Sequence, residues 1–146
     1  MVLAWRFVVV FAFALWQGGF LFYTTFVVPV GTEELGATDQ GFITRRVTLA
    51  LNVVGAVTLL LMACDHFACR ARARWAIWAI LALLQGGLFY LHSKMDALLD
   101  PASHDVATGF YGMHRVYLWA STLLWLFALA WLALALRAWN RPRVVG

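Results

Sequence analysis

Residues 7–30 contain no charged side chain, and neither do 47–64 or 75–93. A fourth apolar stretch, about 114–137, carries arginine only near its ends, at Arg115 and Arg137. A helix that crosses the hydrocarbon of a bilayer needs about 17–25 mostly apolar residues, so each stretch is long enough. No other feature constrains the fold as strongly. Backbone N–H and C=O groups in hydrocarbon find no water, so spanning segments are helices or closed barrels. Barrel strands alternate apolar and polar residues, and these runs do not. The chain is therefore predicted to be all-α: a single transmembrane domain over residues 1–146, folded as a four-helix bundle. Composition agrees, at 64% hydrophobic and 12% charged, against about 45–50% and 25% in a soluble domain. Short connections predict antiparallel neighbours, with outer loops at 31–40 and 94–108. The first run is long for the apolar core of a signal peptide and is read as a span.

Lysine and arginine orient the bundle, because cytoplasmic loops carry an excess of both. One side receives Arg6, Arg70, Arg72, Arg74, Arg137, Arg141 and Arg143, with Asp65 as its acid. The other receives Arg45, Arg46, Lys94 and Arg115 against six acids: Glu33, Glu34, Asp39, Asp96, Asp100 and Asp105. Both termini are expected to be cytoplasmic, in a cell (inner) membrane. Trp5, Trp75 and Trp139 fall at the inner boundary, where interfacial rings anchor helices. The charge excess is explained by topology, so no nucleic-acid partner is expected. The expected partner is the lipid bilayer, with a larger membrane complex or a homo-oligomer as further options.

Two of the runs share a motif. Trp16-Gln17-Gly18-Gly19 returns as Leu84-Gln85-Gly86-Gly87, and Leu21-Phe22-Tyr23 returns one residue slipped as Leu88-Phe89-Tyr90. Beyond the outer loops, Gly41-Phe42 answers Gly109-Phe110, Arg46-Val47 answers Arg115-Val116, and Asn52 answers Ser121. The chain thus reads as two tandem helical hairpins, 1–69 and 70–146, inserted in the same direction. Small residues allow helix backbones to approach in lipid. On that ground the glycine pairs are expected to join the first and third helices, with Gln17 and Gln85 face to face or sharing a water.

Each helix also carries a polar stripe toward its outer end. Residues three, four or seven apart share a face. The stripes are Gln17 with Thr24; Arg45, Thr48 and Asn52; Gln85, His92 and Asp96; and His114, Tyr117 and Ser121. Two readings stand. The stripes either bind helix to helix through hydrogen bonds, or line a polar cavity open to the outer side together with Arg115. Ionisable groups near a span favour the second for His92, Asp96, His114 and Arg115. The inner halves look almost wholly apolar.

Histidine with carboxylate is a ligand set for a divalent metal, here His92, Asp96 and His114. Two histidines, His92 and His114, also suit a haem iron. The alternative is interfacial histidines paired with Asp96, Asp100 or Asp105. Arg45, Arg46 and Arg115 need acids, lipid phosphates or an anionic ligand, with Glu33, Glu34 and Asp39 nearby. Cys64, Asp65, His66 and Cys69 form a weaker cluster, read as reduced, inert cysteines because the spacing matches no strong zinc pattern. No P-loop, dinucleotide or nucleophile-elbow motif is present, so no catalytic residue is assigned.

Trp16-Gln17-Gly18-Gly19 leading to Val27-Val28-Pro29, followed later by Phe110-Tyr111-Gly112-Met113-His114-Arg115 and an apolar last helix, resembles the DUF4149 (TMEM205-like) family of small four-helix membrane proteins. The DUF1772-type proteins share a similar outline. The resemblance covers most of the chain and implies an integral membrane protein, without supplying catalytic residues. Three classes of function follow: a non-enzymatic subunit, scaffold or binding module with an outer polar cavity; a haem- or metal-binding redox protein using His92 and His114; and a small oligomeric transporter. The first accounts best for the missing motifs. The third is weakened by the lack of mid-span carboxylates.

Overall fold

The computed structural model describes residues 2–68, 72–100 and 105–140. It is an all-α bundle of four long apolar helical segments, each long and apolar enough to cross a membrane. The first segment is composite: α1 (Val2–Phe22), a π-helical turn (Tyr23–Val27) and α2 (Val28–Leu35). It is followed by α3 (Ala37–Ala68), α4 (Arg72–Asp96) and α5 (Phe110–Trp139). Between α4 and α5 lies a two-residue antiparallel ladder, β1 (Leu99–Asp100) with β2 (Asp105–Val106), pairing Leu99 with Val106.

The helices run well past the apolar stretches. The expected loop at 31–40 is instead helix on both sides of a single-residue turn. Pro29 lies just after the π turn, inside one continuous helical span, and a proline there cannot donate to the preceding turn, an irregularity that goes with local departures from the α ladder. The helix then continues to Leu35 and stops at Gly36, whose φ of 82° is left-handed and costs glycine little. Gly31 allows the return: a Cβ there would lie 2.7 Å from Gln40 Cγ, so α2 can lie flat on the start of α3.

Contacts between helices fix an up–down–up–down order. Tyr23 meets Thr48 and the Thr58 hydroxyl reaches the Ala12 carbonyl, so α1 and α3 are antiparallel. The Trp78 indole donates to the Leu59 carbonyl across α3 and α4 at 2.8 Å. α4 and α5 make the most extensive contact of any pair. Large side chains such as Phe7, Leu83 and Trp119 point outward, as a lipid-facing surface requires. Val9, Met62, Leu81, Ala128 and Trp131 fill the interior.

The glycine pairs do not join the first and third helices. A Cβ on Gly18, Gly86 or Gly87 would meet nothing within 4 Å, and one on Gly19 would touch only Leu51 of α3. The close approach is at Gly55 of α3, where a Cβ would stand 2.6 Å from Trp16 Nε1 and 2.7 Å from Gln85 Oε1. Helix α3 thus lies between α1 and α4, and the two glutamines reach toward it rather than toward each other.

The inner end is not wholly apolar. Asp65, at the end of α3, is 2% exposed, and Arg74, near the start of α4, is 1% exposed. They form a buried ion pair. The Trp139 indole of α5 donates to the same Asp65 oxygen at 3.2 Å. The Arg6 guanidinium of α1 lies 5.2 Å above the Trp139 ring, and Arg74 lies 5.2 Å from the centroid of Trp131. All four helices are tied together there. Cys64 is free and exposed. Cys69 and the His66 side chain lie outside the described residues, as do Arg70, Arg141 and Arg143.

Two outcomes check this packing. Gly55→Ala is expected to lower the detergent melting temperature, by overpacking worth about 1–3 kcal/mol, whereas Gly86→Ala leaves it unchanged or higher. Asp65→Asn is expected to cost about 3–5 kcal/mol by stranding Arg74, and the double change Asp65→Leu with Arg74→Met to recover much of that loss in the same assay.

Candidate functional site

The polar stripes meet at the end of the bundle opposite Asp65 and Arg74. Two levels can be distinguished: a buried hydrogen-bonded layer in mid-bundle, and a cavity above it.

The lower layer centres on Asn52 of α3. Its amide donates to the Tyr117 hydroxyl at 3.0 Å, and that hydroxyl lies 3.2 Å from Asn52 Oδ1. Gln85 Nε2 donates to the Asn52 backbone carbonyl at 3.2 Å and lies 3.4 Å from Oδ1. Ser121 donates back to the Tyr117 carbonyl at 2.9 Å. Gln17, Asn52, Gln85 and Ser121 are all buried here, and none of them lines the cavity. Gln85 pairs with Asn52, not with Gln17. The reason is the order of the helices: α1 and α4 have α3 between them. The Oε1 atoms of both glutamines are buried without a hydrogen-bond partner.

Above this layer is a partly open cavity of about 360 Å³. All four spanning segments contribute to it. The π turn and α2 supply Tyr23, Thr24, Val28 and Thr32; α3 supplies Gln40, Thr44, Arg45 and Thr48; α4 supplies His92, Met95 and Asp96; α5 supplies Phe110, Tyr111, His114, Tyr117 and Leu118. Thus Thr24, Arg45, Thr48, Tyr117, His92, Asp96 and His114 from the stripes converge on one space. Arg115 is exposed and does not line it.

Most of these groups have partners. Tyr23 and Thr48 share a hydrogen bond of 3.1 Å, and Thr24 donates to the Phe20 carbonyl of its own helix. Arg45 pairs with Asp96 at 3.2 Å, not with the acids of α2 or the start of α3. This pair is partly exposed, and such pairs contribute little stability. His92 does not pair with an acid. Its Nε2 lies 3.0 Å from the Arg45 backbone carbonyl, which calls for a proton on Nε2. His114 stacks on Phe110, with centroids 5.8 Å apart and planes 9° from parallel.

One group stands apart. Gln40 is 6% exposed, lines the cavity, and has an Nε2 amide without a hydrogen-bond partner. A buried donor left unmade is costly. Gln40, Tyr23, Phe110 and Tyr111 escape a reading of the sequence. Residues 31–40 look like a loop, and aromatic residues beside an apolar run look like core.

The expected metal set is not assembled. His92, Asp96 and His114 share the cavity wall, but among the described residues no three His, Cys, Asp or Glu side chains are grouped to hold an ion. Asp96 is engaged by Arg45, and His92 turns one ring nitrogen to a backbone carbonyl. The same arrangement gives no support to a histidine pair on haem. No family model, curated protein or solved structure matches this chain, so the resemblance to four-helix membrane families rests on the short motifs quoted above.

Tyr117→Phe is expected to lower stability by about 1–3 kcal/mol, because it strands the buried Asn52 side chain. Asn52→Leu in the Tyr117→Phe background, which removes both partners, is expected to cost less than the sum of the two single changes. Thermal unfolding of the four proteins in detergent measures the coupling.

Proposed function

We propose that this protein is a non-enzymatic membrane binding module whose site is the cavity at the α2 end of the bundle. The observation that carries this reading is Gln40. Gln40 lines the cavity and its amide nitrogen is buried with no protein partner, among stripe residues that are already hydrogen-bonded or stacked. Such a concave, mostly apolar space with a few convergent polar groups is how small-molecule sites are built, and about 360 Å³ falls in their usual range of about 300–1,000 Å³.

The excess of lysine and arginine at the Asp65–Arg74 end supports a cavity that opens to the non-cytoplasmic side, with both termini cytoplasmic. The two-hairpin reading adds a rationale for the floor. Asn52 and Ser121, which correspond in that reading, both lie in the buried layer that forms the floor.

Purification in mild detergent followed by native mass spectrometry tests the proposal. The expected result is a small-molecule adduct at one copy per chain, depleted in Gln40→Leu and Tyr111→Ala. An adduct retained at full occupancy in both variants, or none from any lipid source, refutes it.

A further inference from the structure

We propose that the cavity takes the head of a neutral, carbonyl-bearing amphiphile of the alkylated-quinone class, admitted sideways from the bilayer between the α1–α2 segment and α5. This deepens the binding reading above and rests on it.

The first argument is the seam. Helices α1 and α2 pack on α3, and α5 packs along α4. Neither α1 nor α2 makes a comparable approach to α5. The cavity lies at this seam, with Thr24 and Val28 on one side and Tyr111, His114 and Leu118 on the other. Thr24, Val28 and Leu118 belong to the apolar runs that flank it. A tail bound here passes from the cavity into lipid without crossing water.

The second argument is charge. The guanidinium in the wall, Arg45, is already paired with Asp96. Glu33 and Glu34 are exposed on α2 nearby. A carboxylate or phosphate head would meet a neutralised arginine and a field of its own sign. A neutral head meets neither obstacle.

The third argument is the chemistry of the walls. On one side are Gln40, whose partnerless buried amide has only to turn toward the cavity to donate, and the Tyr23–Thr48 hydroxyl pair. On the other are flat rings: Phe110 with His114 stacked upon it, and Tyr111, whose side is open to an incoming group. A planar ring lies against aromatic faces in offset or edge-on geometry, while its carbonyl oxygens accept from amide and hydroxyl. A neutral planar ring with carbonyl oxygens and a hydrocarbon tail is a quinone. Binding alone is inferred, and no redox step follows from these residues.

The test uses the full chain in nanodiscs and isothermal titration with decyl-benzoquinone and decyl-naphthoquinone, with decanol and decanoate as comparators. At least one quinone is expected to bind at a single saturable site, tenfold or more tighter than either comparator. Gln40→Leu is expected to weaken it by up to about tenfold, the size of one hydrogen bond. If Gln40→Leu impairs folding, Tyr111→Ala replaces an exposed ring and is expected to weaken binding several-fold in a folded protein. Decanol or decanoate binding as tightly as the quinones overturns the ligand class. If that binding is also weakened by the two variants, the cavity remains a site for another amphiphile. Quinone binding unchanged in both variants overturns the placement. Absence of binding by every probe, with no adduct in native mass spectra, overturns this inference and the binding reading together.

Discussion

Asp65 and Arg74 meet in a place where neither tolerates being alone, and the register of the bundle follows from that. A buried ion pair adds little net stability, because desolvation consumes most of the attraction, but a stranded charge is severely penalised. Sliding α3 against α4 by one turn would strand both, so their relative height is set. Arg45 lies 20 residues back along α3 and Asp96 lies 22 residues on along α4, about 30 and 33 Å at helical rise. The same register therefore delivers the second pair at the far end. The two pairs stand apart by about the thickness of a bilayer's hydrocarbon core, so they bracket the apolar part of the bundle.

Between them the interior must hide its polar atoms, and it does so by crossing α3. Trp16 and Gln85 both close over Gly55, while Asn52 one turn away ties α4 to α5 through Gln85 and Tyr117. This layer closes the bundle below the cavity. Above it the helices diverge around a space to which the π turn, α3, α4 and α5 all contribute. One end is locked by charge, the middle by hydrogen bonds, and the other end is left concave.

Much of this was legible from the apolar runs. They predict four spans, an all-α bundle and antiparallel neighbours, and the stripes predict that Thr24, Arg45, Thr48, His92, Asp96, His114 and Tyr117 face a common direction. Periodicity shows which face a residue lies on, not which helix it meets. The Gln-Gly-Gly repeat thus points correctly to buried amides at Gln17 and Gln85 but to the wrong neighbour, because nothing local says that α3 lies between. Gly55, alone in its run, carries no sequence mark of its contact. Residues 31–40 read as loop because they are polar, yet Gly36 alone supplies the turn and the rest is helix lying beyond the apolar run. Asp65 and Arg74 read as topology charges because pairing across a connection is invisible to a count of sides.

The π turn at Tyr23–Val27 lies close to a difference in spacing between the two Gln-Gly-Gly stretches. Aligned on Gln17 and Gln85, the first half holds one residue more than the second before reaching Leu21 and Leu88. A π turn is where a helix stores one extra residue, and within a turn of the slip α1 widens, while α4 at the matching position stays a regular α-helix. Removing one residue at the π turn would restore regular helical winding there and so rotate Tyr23 and Thr24 relative to the wall that they line.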